Sequence, residues 1–297
     1  MTASTSQQKF LVFGANGWIG QKMVEMLTAQ GKVAAGAVSR IENRESVLAE
    51  IQEFKPTHVF NCAGKTGRPN VDWCEDNKEA TIRSNVIGTL NLADVCFVAG
   101  VHFTNFATGC IYKYDEAHSM NSGKGFTETD EPNFDESFYS KTKAIVEKVL
   151  MNYSNVLNLR LRMPVSDDLH SRNFVTKISS YEFVVDIPNS NSILYDLLPA
   201  SILMAENNVT GIYNFTNPGA ISHNEVLTLY KKYIKPDFTW KNFNLEQQAK
   251  VIKAGRSNCE LDSTKLVATL AKLGYKVPEI HEAYEGCFIR MKANFGL

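Results

Sequence analysis

Lys9-Phe10-Leu11-Val12-Phe13-Gly14-Ala15-Asn16-Gly17-Trp18-Ile19-Gly20 is the stretch whose reading decides the fold. An apolar run leads into glycines spaced three apart, and the helical pattern Met23, Val24, Met26, Leu27 follows. A strand, a tight turn and a helix in that order let a pyrophosphate come close to the helix N-terminus. The stretch therefore predicts a dinucleotide site on Gly14, Asn16, Gly17, Trp18 and Ile19. In another context the same glycines would mark only a loop.

Residues 33–38 read as a second strand, whose end lies beside the adenosine ribose in such folds. The chain offers Ser39 and Arg40 there instead of an acidic residue. A guanidinium fits a 2′-phosphate, which favours NADPH, with Arg44 as the competing residue. A solvated Arg40 would leave NADH usable as well. A helix over 45–54 precedes a third strand, 57–64, that ends in small residues, and Asn61, Ala63 and Gly64 are expected against the cofactor. The loop from Arg68 to Cys74 carries substrate contacts or packs through Trp73. A long helical pattern from Lys78 to Val95 contains Asn85, which needs polar partners if buried.

A fourth strand, 101–106, places Thr108 just past its carboxyl end, where ligands bind in open α/β sheets. Residues 112–138 are rich in Asp, Glu, Ser, Gly and Asn and read as a long surface loop over the site. Phe138-Tyr139-Ser140-Lys141-Thr142-Lys143 then opens an apolar-periodic helix, with Tyr139 and Lys143 on one face. An ammonium beside a phenol lowers its pKa and fits it to exchange a proton with a carbonyl under reduction. Thr108 and Tyr139 could donate to the same substrate oxygen and stabilise charge developing there. Tyr and Lys at this spacing arise often by chance, so their weight comes from the elements around them.

Another strand at 156–161 completes an alternation that means α/β, a Rossmann-type doubly wound parallel sheet, with a smaller C-terminal lobe for the substrate. The expected division is 1–164 for the nucleotide domain, with 190–219 returning to it through a helix (193–204) and a strand (211–215). Residues 165–189 and 220–297 make the lobe, closed by helices at 262–273 and 278–291. Within it, Gly255-Arg256-Ser257-Asn258 suits phosphate or base recognition.

The 297 residues carry a formal net charge of −1, which supplies no field for nucleic acid or an anionic membrane. No stretch approaches the ~20 apolar residues of a membrane span. The polar start before Lys9 does not read as a signal peptide, so a cytoplasmic protein is expected. Six cysteines show no metal-ligand spacing and are expected to be reduced, and no metal is expected.

Glycine triplet, Thr108, Tyr139 and Lys143 in this order resemble an extended short-chain dehydrogenase/reductase. Within it the chain most resembles the nucleotide-rhamnose synthase/epimerase-reductases, through KPTHVFN (55–61), TGRPNVDWCE (66–75), ATGCI (107–111) and NFTNPG (214–219). Where these usually read Pro before Arg-Ser-Asn, this chain has Gly255. The resemblance implies a bifunctional 3,5-epimerase and NADPH-dependent 4-keto reductase acting on UDP- or dTDP-4-keto-6-deoxyglucose. It implies Thr108, Tyr139 and Lys143 in reduction, Cys110 and Lys177 in epimerisation, and Thr66, Arg68, Asn70, Thr108, Asn173, Arg256 and Asn258 at the substrate. A thiolate near a lysine would have a lowered pKa. Without the resemblance, Cys110 reads as a small buried hydrophobe. The alternatives are a reductase that accepts only pre-epimerised substrate and a non-catalytic regulatory subunit, against which intact Thr108, Tyr139 and Lys143 argue. A homodimer through the helices beginning at Lys78 and Phe138 is the usual arrangement in extended relatives.

Overall fold

The strands are β1 (Lys9–Phe13), β2 (Val33–Gly36), β3 (His58–Asn61), β4 (His102–Thr108), β5 (Val156–Leu161), β6 (Phe183–Val184), β7 (Gly211–Asn214) and β8 (Lys241–Asn242). The helices are α1 (Trp18–Ala29), α2 (Arg44–Phe54), α3 (Trp73–Asp76), α4 (Lys78–Ile82), α5 (Thr89–Val98), α6 (Phe138–Leu150), α7 (Phe174–Ile178), α8 (Leu194–Glu206), α9 (His223–Tyr233), α10 (Leu245–Ala249), α11 (Thr264–Lys272) and α12 (Ile280–Phe295). They belong to a computed structural model that describes residues 7–296; residues 1–6, most of the polar start, lie outside the described residues, as does Leu297.

Six parallel strands form one sheet in the order β2-β1-β3-β4-β5-β7. The order reverses between β1 and β3, which opens a crevice at their carboxyl ends. Alternate side chains feed two cores. Phe10 and Val12 of β1 meet Met23 and Leu27 of α1 on one face, while Leu11 and Phe13 meet Val47 of α2 and Leu92 of α5 on the other. With every residue of β3 and β5 buried, these strands sit under helices on both faces, as parallel strands must. The doubly wound sheet expected from the alternation is present.

Gly14 has φ +74, and a Cβ there would lie 2.5 Å from the Ala63 nitrogen. Glycine thus permits the ends of β1 and β3 to touch. The same turn is closed by the Gly17 N–H donating to Gly14 O at 2.9 Å.

Several expected elements change shape. The long helix from Lys78 is broken by a π-helical turn, Arg83–Gly88. Asn85 lies in that turn and turns its amide onto the Lys65 backbone, accepting from the N–H at 2.7 Å and donating to the carbonyl at 2.8 Å. Its polar partners are therefore a wall of the crevice. The 112–138 loop carries no regular element beyond a bridge between Phe126 and Leu261, yet it is pinned down. Tyr112 is buried, stacks on Phe126 at 4.5 Å and donates to Asp130 O at 2.7 Å.

A third core holds the lobe together, joining Val175 and Ile178 of α7 to Val226 and Leu227 of α9 and to Tyr284 and Phe288 of α12. Beside it β6 and β8 pair in parallel. One segment departs from the expected 220–297 lobe: α11 packs Leu266 and Leu270 into the core of the main sheet, and Lys265 Nζ donates to Ile212 O of β7 at 2.7 Å. Its strong apolar stripe needed a partner face, and the end of the sheet beside β7 supplies one. Among the described residues no helix is long and apolar enough to cross a membrane.

Leu266 is fully buried in the sheet core, so Leu266→Ala is expected to cost about 2–5 kcal/mol in urea-induced unfolding. A loss below about 1 kcal/mol would show that α11 does not close that core.

Candidate active site

Two cavities lie on the side of the sheet where the strands' carboxyl ends are. The first, about 530 Å³, is lined by Gly14, Asn16 and Gly17 after β1, Arg40 after β2, and Ala63 and Gly64 after β3. Gly17 caps α1 without a side-chain hydrogen bond, and the first turn carries no acidic residue. Its N–H groups and positive dipole end are thus free to take a phosphate. A Cβ on Gly14 or Gly20 would strike backbone, at 2.5 Å from Ala63 N and 2.2 Å from Gly14 O, so glycine is what lets this turn close tightly on the helix end, and that tight turn fits a dinucleotide. Arg40 is exposed at the rim with Glu42 Oε1 at 3.1 Å. Arg44 does not line the cleft, because Asn91 and Asp94 of α5 hold its guanidinium at 3.2 and 2.6 Å.

The second cavity, about 890 Å³, is walled by residues of α6, α7 and the lobe and brings together Cys110, Tyr139, Lys177, Arg256, Asn258 and Asn70. Its floor is the start of α6. Ser137 caps that helix by accepting from Ser140 N, and Glu75 of α3 accepts from Phe138 N at 2.7 Å. Ser140 Oγ in turn donates to Cys110 O. These contacts set the height of Tyr139 against the turn that carries Thr108 and Cys110. Thr108 is buried and accepts from Cys110 N at 3.1 Å.

Burial pushes the Tyr139 phenol above the ordinary tyrosine range; Cys110 adds to this, and the Thr108 hydroxyl opposes it as a hydrogen-bond partner. The expected lowering of the phenol by Lys143 is not seen: Lys143 is not among the groups that act on Tyr139, and desolvation of the phenolate is the largest effect. A phenol that keeps its proton is the form that a carbonyl under reduction requires. Lys143 is lowered to about 8 by burial, with Glu147 opposing. Lys177 is also lowered, first by burial and then by Arg172.

Other expected site residues have different duties. The Trp18 ring turns from the cleft, donating Nε1 to Asp168 Oδ2 at 2.8 Å and stacking on His170 at 5.4 Å, while Ile19 packs on the sheet core. Only their backbone groups face the helix end. Asn61 is buried, donating to Asn105 Oδ1 at 3.0 Å and accepting from Ala63 N at 3.1 Å, so it shapes the cleft from behind. Asn173, expected at the substrate, spends both amide protons on Ser166 O and Asp168 O at 2.7 and 2.6 Å and caps α7 through Val175 N. No donor or acceptor is left for a ligand. Arg256 donates to Asp72 Oδ1 at 2.8 Å, which aims it into the cavity from the loop after β3.

Two arginines escaped notice in the sequence. Arg172 lines the cofactor cleft beside Thr66 and Arg68, donating to Thr66 Oγ1 at 2.6 Å; its burial gave no signal in a polar connection. Arg162, just past β5, is buried and donates to Gly109 O at 3.2 Å, Ser257 Oγ at 2.7 Å, Ser257 O at 3.0 Å and Asn189 Oδ1.

The sequence matches the NAD dependent epimerase/dehydratase family over residues 10–180. This chain belongs to that family. It is 58% identical over 272 residues to the bifunctional dTDP-4-dehydrorhamnose 3,5-epimerase/dTDP-4-dehydrorhamnose reductase of Arabidopsis thaliana, covering 91% of this chain and 90% of that protein. It is also 58% identical over 259 residues to a trifunctional UDP-glucose 4,6-dehydratase/UDP-4-keto-6-deoxy-D-glucose 3,5-epimerase/UDP-4-keto-L-rhamnose-reductase of the same plant, covering 87% of this chain and 39% of that protein. The crystal structure of a UDP-rhamnose synthase from Acanthamoeba polyphaga mimivirus is similar with a TM-score of 0.89 at 39% identity, over 96% of this chain and 99% of that one. Burial, and a place on one face of α6 with Tyr139, make Lys143 the group to titrate. With Lys143 lowered to about 8, its ammonium is present below that pH and lost above it. The kcat/KM for reduction is therefore expected to fall as pH rises through about 8, and a profile flat to pH 10 would contradict a working ammonium.

Proposed function

We propose that this enzyme of nucleotide-sugar metabolism epimerises C3 and C5 of UDP- or dTDP-4-keto-6-deoxy-D-glucose and reduces C4 with NADPH, giving the L-rhamnose nucleotide. The observation that carries the reading is convergence: Cys110, Tyr139 and Lys177 share one cavity, with Thr108 acting on the phenol from below. The bifunctional relative, similar over nearly its whole length, supports the same pair of reactions.

The C4 ketone acidifies the hydrogens on C3 and C5. Thr108 and Tyr139 donate hydrogen bonds to the C4 oxygen and stabilise the enolate that forms when a proton leaves. Cys110 and Lys177 take and return protons at the two carbons, and the lowered Lys177 reaches its neutral, basic form more readily. NADPH, when bound, supplies hydride to C4. Tyr139 gives its proton to the C4 oxygen, so ketone, hydride and proton balance as an alcohol, and Lys143 beneath it carries the positive charge that favours this transfer. Gly14, Asn16, Gly17, Arg40, Ala63 and Gly64 hold the coenzyme, with the amides of Trp18 and Ile19 at the helix end and NADH as the alternative. Asn70, Arg256 and Asn258 in the larger cavity hold the substrate, while Thr66 and Arg68, expected at the substrate, and Arg172 line the cofactor cleft and could meet the substrate only from that side.

We further propose the division of labour between nucleotide domain and lobe described above, with α11 assigned to the former, and a homodimer through α4, α5 and α6. Exposed Ile87, Phe97, Val98, Ile145 and Met151 on these helices and the turn between them support that surface. A cytoplasmic setting agrees with cysteines that are unpaired among the described residues.

In D₂O without NADPH, the parent enzyme should place deuterium at C3 and C5 of the 4-keto sugar. Cys110→Ala should lose this exchange yet retain much of its rate on a supplied 4-keto-L-rhamnose nucleotide. Normal exchange in the variant would make Cys110 a packing residue; no exchange in the parent would leave a reductase of pre-epimerised substrate. Arg40→Ala is expected to raise the KM for NADPH about tenfold or more and barely change that for NADH. Equal changes would remove Arg40 from the 2′-phosphate.

A further inference from the structure

A row of buried polar side chains crosses the sheet directly behind the two cavities. Asn61 of β3 stands in register with Asn105 of β4, which stands in register with Asn158 of β5. Their amides are joined in series, Asn61 Nδ2 donating to Asn105 Oδ1 at 3.0 Å and Asn105 Nδ2 donating to Asn158 Oδ1 at 2.7 Å. Asn158 Nδ2 then donates to Glu147 Oε2 of α6 at 2.9 Å. Arg160 closes the end with two bonds to the same carboxylate, Nε to Oε2 at 2.9 Å and Nη2 to Oε1 at 2.6 Å. All five side chains are 5% exposed or less. Each interrupts an otherwise apolar face, where leucine or valine would pack at no polar cost.

The two ends of the row abut the site. Asn61 holds the Ala63 N–H, and Ala63 lines the cofactor cleft. At the other end, Glu147 lies four residues beyond Lys143 and eight beyond Tyr139, so the three share one face of α6. Other charged or titratable groups come near α6: Arg160 from β5, Cys110 after β4, Cys74 and Glu75 from α3, and Lys78 from α4, over the Phe138 ring. Only Glu147 acts on Lys143 so as to favour its ammonium.

We propose that Glu147 is a positioning residue for reduction, a buried carboxylate clamped by Arg160 and the asparagine row so that it holds Lys143 charged beneath Tyr139. The proposal rests on the reductase reading given above. Glu147 makes no contact pair with Lys143 among the described residues: Arg160 and Asn158 hold the carboxylate from the sheet side, and its charge acts on the lysine through space. A carboxylate free of that clamp could swing onto the ammonium and pair with it directly.

The test is the pH profile of kcat/KM for reduction of a 4-keto-L-rhamnose nucleotide. Glu147→Gln should move the alkaline limb to lower pH by about one unit or more, costing about twofold at pH 7 and about tenfold above the parent's limb. That variant leaves Arg160 buried without its counter-charge, so the double variant Glu147→Gln/Arg160→Met, which removes both charges, should show the same displacement in a more stable protein. Glu147→Asp, which retains the carboxylate, should keep the limb of the parent. A folded Glu147→Gln or double variant with the parent's limb, or Glu147→Asp displaced as far as Glu147→Gln, would overturn the proposal and leave the row as framework. Tyr139→Phe, read in parallel, should lose ~10²-fold in rate. If it does not, the reductase reading has failed, independently of Glu147.

Discussion

The substrate cavity is organised by a cation taken out of water. Arg162 has no carboxylate against it among the described residues, and four of its hydrogen bonds go to Gly109, Ser257 and Asn189. Gly109 separates Thr108 from Cys110, and Ser257 separates Arg256 from Asn258. The Arg162 Nε has no partner among the described residues, so loss of either loop would add to a desolvation cost of several kcal/mol that is already only partly offset. A Cβ on Gly109 would lie 3.0 Å from the Arg162 side chain and 2.5 Å from the Leu261 side chain, so a larger residue there would push on both. The turn carrying Cys110 and the loop carrying Arg256 and Asn258 are thereby fixed to the same strand end.

Around that rivet, a buried lysine, Lys143, and a half-buried one, Lys177, are given opposite surroundings. Burial disfavours the charged form of each. Glu147 opposes this at Lys143, whereas Arg172 adds to it at Lys177. The first suits a fixed positive charge under an acid, the second a group that must shed and take up protons. One reaction needs an environment that does not change during turnover, and the other needs a group that does. Placing them on separate helices, α6 and α7, allows both within one cavity.

The parallel sheet was legible because strands buried on both faces leave apolar runs, and because the glycines from 14 to 20 stand between a strand and a helix; the order of the strands was not. The residues that touch the cavities were partly legible: Cys110, Tyr139, Arg256 and Asn258 all line the larger one. What failed was the distinction between a polar residue that meets a ligand and one that meets the protein. Asn173, Asn61 and Asn70 are one residue type and each holds a backbone group, yet only Asn70 also lines the larger cavity while the other two are fully buried, and only the fold decides this. Trp18 went the same way, its ring drawn to Asp168 and His170 from a loop 150 residues away. Arg162 and Arg172 gave no signal in the sequence, since long-range burial has no local sequence signature. The segment at α11 was misplaced for a related reason: its apolar stripe marks a packed helix but not the face that receives it.

The central claim is that one cavity carries out inversion and reduction in turn. It is tested most directly by incubating the enzyme with NADPH and UDP-4-keto-6-deoxy-D-glucose and reading the sugar configuration by proton NMR. The account predicts an L-rhamnose nucleotide, inverted at C3 and C5 and reduced at C4, with one NADPH consumed per product. A 6-deoxyhexose that is reduced at C4 but retains the starting configuration at C3 and C5, or no consumption of NADPH, would contradict it.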